Sequence, residues 1–210
     1  MHMMHITAAR RQAGISIVEI AVSLAVLSLV LGLVVPSASV WMANARIRSS
    51  AESLLAGLQQ ARAEAVRRNR DISFWLVSEP STGQIDASCV LTSSSRSWVV
   101  SATSPAGLCE TEPSISVAPM LVTKAAGGHT GAGISANGTD AALNPATNVR
   151  FNGFGQVAGT VGGDAPLTQI DIDNGVAGND FRPLRIQIRG SQIRLCEPRV
   201  TAADDPRRCT

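Results

Sequence analysis

One carboxylate, Glu19, stands inside an apolar run that extends from Ile15 to Pro36, with Gly14 immediately before it and Arg10 and Arg11 upstream. Such a run reaches the about 20 residues needed to span a hydrocarbon core. An acid within it costs roughly 2.5–3.5 kcal/mol and marks a functional group that needs a partner. A second set of groups is cationic: Arg185, Arg189 and Arg194 alternate with aliphatic residues, and Arg199, Arg207 and Arg208 follow. Guanidinium groups brought to one face engage phosphates without reading bases. The third set is sulfur. Cys89, Cys109, Cys196 and Cys209 all lie beyond the apolar run, and outside the cytoplasm they are expected to form disulfides. Of the pairings open to them, Cys89–Cys109 with Cys196–Cys209 closes the two shortest loops and is the expected one.

Other chemistries find little support. Zinc would want a C-x-x-C pair or a histidine near the cysteines, and neither is present. His129 is the one histidine beyond Gly14 and falls in a Gly- and Ala-rich stretch, where it reads as a solvated loop residue. No Ser-His-Asp or Cys-His arrangement can be assembled around it. Gly153-Phe154-Gly155-Gln156-Val157-Ala158 resembles a dinucleotide fingerprint, but no helix pattern follows, so it reads as a strand turn. Asp171 and Asp173 could ligate calcium, yet their alternation with Ile170 and Ile172 makes them the polar face of a strand. No enzyme activity, cofactor or metal is expected.

These groups need elements to position them. After Pro36 the helical pattern continues and turns amphipathic: Ile47, Ala51, Leu54, Leu58, Ala61 and Ala65 form one stripe. Arg48, Glu52, Gln59, Arg62 and Arg67 fall off it, and Arg48–Glu52 and Glu64–Arg68 are i,i+4 pairs. One helix is therefore predicted from near Ile15 to near Asn69, with a joint at Gly32 and Pro36, because proline lacks the backbone donor a helix requires. From Asp71 onward the pattern is that of strands: 72–76, 97–102, 114–118, 149–152, 169–173, 184–189 and 192–196. The stretch 124–148 reads as a long loop and 158–166 as a shorter one. The predicted class is α+β, a long N-terminal helix with a transmembrane first half, packed on an antiparallel β domain. The predicted segments are 1–14, 15–36, 37–70 and 71–210.

The last hairpin has a definite register. A two-residue turn at Gly190-Ser191 sets Arg189 opposite Gln192, Ile188 opposite Ile193, Gln187 opposite Arg194, Ile186 opposite Leu195 and Arg185 opposite Cys196. Paired residues share a face. The aliphatic residues then lie on one side and Arg185, Gln187, Arg189, Gln192 and Arg194 on the other.

At 210 residues the chain allows one modest domain beyond the apolar run. Without Arg10 and Arg11 the 18 basic side chains become 16, equal to the 16 acidic ones, so net charge argues for no particular partner. Two ordinary alternatives compete for the N-terminus. A cleaved secretory signal could end near Ser37-Ala38-Ser39 or Ala43-Asn44-Ala45, but the apolar run exceeds the usual length and contains a glutamate. A simple single-span anchor is the other. Arg10-Arg11 lacks the surrounding residues expected of a twin-arginine signal.

The basic leader, Gly14, the apolar start and Glu19 together resemble the N-terminus of type IV pilin-like proteins. The stretch 46–77, with Arg-Ala-Glu-Ala-Val-Arg-Arg-Asn-Arg at 62–70, resembles the FimT/GspH group of minor pilins and pseudopilins, as does Val149-Arg150-Phe151-Asn152-Gly153-Phe154-Gly155-Gln156-Val157. Residues 193–198 and 205–209 are similar to the C-terminal end of the FimT branch.

The resemblance implies cleavage after Gly14 by a prepilin peptidase and N-methylation of Ile15. It also implies pairing of Glu19 with the new α-amine of a neighbouring subunit. Implied too are residence in the bacterial inner membrane with the C-terminal domain in the periplasm, and assembly with other pilins or pseudopilins through the N-terminal helix. The function implied is a structural subunit of a type IV pilus or type II secretion pseudopilus. The alternative is a pilus-tip subunit that captures DNA through Arg185, Arg189, Gln192, Arg194, Arg199, Arg207 and Arg208. Two positions depart from the family pattern. Ile15 stands where phenylalanine is usual, and Ser191-Gln192-Ile193-Arg194 has one arginine of a Gly-Arg-x-Arg motif implicated in DNA binding. A secreted or anchored β-sandwich adhesin is a third reading.

Overall fold

The computed structural model describes residues 14–78, 83–127, 133–160, 163–175 and 180–210, without the side chains of 31–37. Helix α1 runs from Ile17 to Arg68. Among the described residues nine strands follow: β1 (Ile72–Val77), β2 (Ser97–Ser101), β3 (Leu121–Ala125), β4 (Ser135–Thr139), β5 (Asn148–Phe151), β6 (Val157–Ala158), β7 (Gln169–Asp173), β8 (Leu184–Arg189) and β9 (Gln192–Cys196). The chain divides into two compact units, the first ending at Ser39 and the second beginning at Val40. The class is α+β, with antiparallel pairing throughout both sheets.

In the second unit one sheet has the order β3-β2-β1-β5-β6 and the other β4-β7-β8-β9. The stripe Ile47, Ala51, Leu54, Leu58, Ala61 and Ala65 is fully buried against both. Off that stripe lie the exposed pair Arg48–Glu52 at 3.0 Å and the part-buried pair Glu64–Arg68 at 2.6 Å, with Arg67 also on Glu64 at 2.7 Å. The hydrogen bond from Arg67 is the largest influence holding the Glu64 carboxyl below its ordinary pKa.

Every residue of β1 is buried. Strand alternation sends Ile72, Phe74 and Leu76 into the helix-facing core, and Trp75 and Val77 into a second cluster with Val99, Leu121 and both sulfurs of Cys89 and Cys109. The segments around those cysteines, stapled by a disulfide with an S–S length of 1.99 Å, cover the far face of this sheet. A second disulfide joins Cys196 to Cys209.

Helix and sheet meet closely at Gly57. A Cβ there would lie 2.7–2.8 Å from three ring atoms of Trp98. The indole is fixed on its other sides: its ring N–H donates to Ser53 Oγ at 3.1 Å, and Phe74 stacks with it at 5.8 Å.

Two strand expectations need correction. Residues 114–118 alternate in sequence but form bends and turns, with Ile115 and Val117 exposed at 74% and 61%. The stretch 124–148 is not one loop, because it holds the end of β3 and all of β4. Strand β4, Ser-Ala-Asn-Gly-Thr, is nearly devoid of large apolar residues because its inward face has no room for them. A Cβ at Gly138 would meet Ala146 O and Leu167 Cδ1 at 2.7 Å and Leu76 Cδ1 at 2.8 Å. The link from β4 to β5 is closed by Asp140, whose Oδ1 accepts from Ala142 N at 2.8 Å and Asn144 N at 2.9 Å. The shorter loop is trimmed by β6, since Ala158 pairs with Arg150.

Candidate functional site

The first turn of α1 is built by Ser16, whose Oγ accepts a hydrogen bond from Val18 N at 3.3 Å. Ser16 and Glu19 have the S-x-x-E spacing of a capping box, a signal the sequence reading missed. The box is half made: among the described residues the Glu19 carboxylate has no side-chain partner within its own chain. Its place in the first turn suits the positive end of the helix dipole.

From Ile17 to Val30 the helix carries apolar side chains on every side, broken by Glu19, Ser23 and Ser28, and those apolar side chains are exposed: Ile17 86%, Leu29 71% and Val26 56%. Globular proteins do not leave such a helix bare. One that is hydrophobic all round belongs in a membrane or in the core of a larger assembly. The two hydroxyls within it are satisfied locally, Ser23 Oγ donating to Glu19 O and Ser28 Oγ to Leu24 O, each at 2.7 Å. They therefore carry no unmet donor into an apolar medium. Among the described residues no helix is long and apolar enough to cross a membrane. The expected span 15–36 includes residues 31–36, whose side chains lie outside the described residues, and those of the expected joint at Gly32 and Pro36 are among them. Arg10 and Arg11 also lie outside the described residues, as does His129.

At the other end of the chain, β8 and β9 pair as Arg189–Gln192, Ile188–Ile193, Gln187–Arg194, Ile186–Leu195 and Arg185–Cys196, about a turn with Gly190 at φ 59°. Ile186 and Ile188 are buried, whereas Arg189, Gln192 and Arg194 are exposed. The tail folds back through Glu197 N donating to Arg207 O at 2.7 Å, beside the Cys196–Cys209 disulfide.

The arginines are brought together, but most of them hold the fold. Arg185 ion-pairs across strands with Asp171 at 2.6 Å. Arg194 donates to Pro206 O at 2.6 Å, and Arg199 to Phe181 O at 2.7 Å. Arg207 binds Asp205 at 2.7 Å and Glu197 at 3.7 Å. The hydrogen bond between Arg207 and Asp205 holds the Asp205 carboxyl below its ordinary pKa and raises the guanidinium's. Arg189 and Arg208 have no side-chain partner among the described residues.

Asp171 also accepts from Gln169 Nε2 at 2.7 Å, and Asp173 accepts from Ser135 Oγ at 2.8 Å. Both aspartates are thus occupied within the sheet, and no group of three metal-binding side chains occurs among the described residues. The Gly153–Ala158 stretch forms the β5–β6 turn, closed by Asn152 N donating to Gln156 O at 2.9 Å, with Gly155 at φ 72°.

Two crystal structures of the type IV minor pilin FimU of Pseudomonas aeruginosa (strain PAO1) are similar to this chain at 20% identity and a TM-score of 0.41. They match 74% of this chain and 95% and 99% of their own chains. No curated protein matches it significantly. The family model described as type II transport protein GspH matches residues 50–192. That stretch begins in the buried stripe of α1, takes in strands β1 to β8 and ends at Gln192, the first residue of β9. With well over half of its length matched, the chain belongs to the GspH family of minor pilins and pseudopilins.

Proposed function

We propose that the protein is a structural subunit of a type IV pilus or a type II secretion pseudopilus. In this reading it is inserted in the bacterial inner membrane by residues 15–36, with its β domain in the periplasm, and assembled after prepilin peptidase cuts behind Gly14. The observation that carries this is the bare apolar helix with one unpartnered carboxylate. An isolated span would be served by leucines alone, whereas Glu19 asks for a cation in an apolar setting. The α-amine freed at Ile15 of a neighbouring subunit is such a cation, and each charge would offset the desolvation of the other.

Three details support the reading. A Cβ at Gly14 would meet nothing within 4 Å, so packing does not require glycine there and recognition by a peptidase does. Trp41, exposed at 72%, follows the apolar run at the place where aromatic side chains anchor at a membrane–water boundary. The two disulfides suit an oxidising compartment, and N-methylation of Ile15 would accompany processing. The leader is then 1–14, the membrane half of the helix 15–36, its amphipathic half 37–70 and the β-rich domain 71–210.

Capture of DNA draws less support. Asp171, Asp205 and Glu197 neutralise Arg185 and Arg207, and backbone carbonyls hold Arg194 and Arg199, so that Arg189 and Arg208 are the arginines of that surface without a side-chain partner among the described residues.

Shearing cells and comparing the released filaments with the membrane fraction tests the assembly reading. The protein is expected in the sheared fraction together with the major subunit. Its complete retention in membranes that have released their filaments would contradict the proposal.

A further inference from the structure

The β5–β6 turn rests on the C-terminal part of α1. A Cβ at Gly155 would lie 3.0 Å from Val66 Cγ2 and 3.1 Å from Arg62 Nε. Asn152 fixes the turn, its Oδ1 accepting from Phe154 N at 3.0 Å and from Gln156 N at 3.1 Å. Phe154, the residue before Gly155, is nevertheless 84% exposed, and Val66 is 50% exposed. A cleft of about 430 Å³ on this stretch of helix is lined by Gln59, Arg62, Ala63, Val66 and Arg67. Residues 59–70 hold Arg62, Arg67, Arg68 and Arg70 against Glu64, so this end of the helix is positive. Glu64 engages Arg67 and Arg68. Arg62 is exposed and has no side-chain partner among the described residues. A fixed, exposed aromatic side chain beside such an arginine has the composition of a protein-binding hot spot.

A surface of matching chemistry lies on the same chain. The link between β2 and β3 exposes Leu108, Ile115 and Val117 together with Glu110 and Glu112. Residues 103–120 include no basic side chain. This segment is also held in shape. Cys109 is joined to Cys89, and its carbonyl accepts from Lys124 Nζ at 2.6 Å. Ser114 Oγ accepts from Ser116 N at 3.2 Å and from Val117 N at 3.0 Å. Glu110 and Glu112 have no side-chain partner among the described residues, so the acidic segment and Arg62 are not paired within one chain.

We propose that segment 108–117 of one copy docks on Phe154, Val66 and Arg62 of a second copy. Ile115 and Val117 cover the phenylalanine, and Glu110 and Glu112 face the arginines. Charge complementarity sets the register of the contact. Both surfaces are already ordered, which limits the conformational entropy lost on docking. The contact rests on the filament assignment above and gives it a repeat. Two different patches that fit each other make a heterologous contact, which builds an open filament where the rotation does not close a ring.

Photo-cross-linking in filament-assembling cells tests this, with benzoylphenylalanine replacing Phe154 in the full chain so that an aromatic anchor is kept. Sheared filaments are expected to yield a dimer in which peptide mass spectrometry joins residue 154 of one copy to segment 108–117 of another. Arg62→Glu sets like charges against each other and should lower the dimer yield by about fivefold or more. Adding Glu110→Arg and Glu112→Arg to that variant brings opposite signs together again and should restore the yield. All three side chains are exposed, so these changes leave the core intact. A cross-link only to another protein or to another part of the chain would overturn the contact and leave the filament assignment standing. The same holds for an unchanged yield in Arg62→Glu, or for a reversed variant that does not recover. Absence of the protein from sheared filaments would contradict the assignment and the contact together.

Discussion

Glu19→Ala is expected to remove the protein from filaments while leaving its β domain as stable as before. Truncating one partner of a desolvated charge pair typically costs about 3–5 kcal/mol, because the other charge stays behind unpaired. Recovery in sheared filaments, relative to total cellular protein, should accordingly fall by more than about tenfold. Stability of the β domain should not move, because Glu19 is exposed and its carboxylate touches nothing else among the described residues. Membrane insertion should persist too, since the substitution makes the run more apolar. Glu19→Gln should behave like Glu19→Ala if charge is what matters. Equal incorporation of either variant would remove the assembly role of this carboxylate.

The largest effect on folding is expected at Gly57. Replacing a glycine inside a helix by alanine ordinarily stabilises by about 1 kcal/mol. Here the new methyl would lie 2.7–2.8 Å from the Trp98 ring, which Ser53 and Phe74 prevent from yielding freely. Overpacking of this kind costs about 1–3 kcal/mol. Gly57→Ala should therefore lower the unfolding midpoint by several degrees, and Gly57→Leu should lower it further or prevent folding. Alanine at Gly159, whose Cβ position is open, serves as the control and should change the midpoint little. A thermal denaturation curve in which Gly57→Ala is more stable than the parent would contradict the close approach of helix and sheet.

The parts of this fold legible in the sequence are those where burial is one-sided. The stripe from Ile47 to Ala65 and the hairpin from Leu184 to Cys196 each face a core on one side and water on the other. Their hydrophobic period therefore reports both the element and its register. Strand β1 is covered on both faces, so its alternation identifies the strand but not the cluster beyond Trp75 and Val77. Strand β4 was illegible because Ala136 and Gly138 face a core with no room for larger residues, and small residues otherwise mark loops. Ile115 and Val117 misled in the opposite sense, alternating like a strand while standing exposed.

Within the candidate site, the grouping of the arginines followed from the hairpin register. The neutralisation of Arg185 did not, because it depends on β7 pairing with β8 and placing Asp171 beside it. The capping spacing from Ser16 to Glu19 was present in the sequence, but only the structure separates its made half from its unmade half.

The central claim is that Ile15 becomes the first residue of the working protein and that its amine meets Glu19 of a neighbour. N-terminal sequencing of the protein extracted from membranes or sheared filaments tests it most directly. The account predicts a chain beginning Ile-Ser-Ile-Val-Glu. A chain beginning at Val40 or Arg46 would mean that the apolar helix is discarded as an ordinary secretory signal, and would contradict the filament assignment.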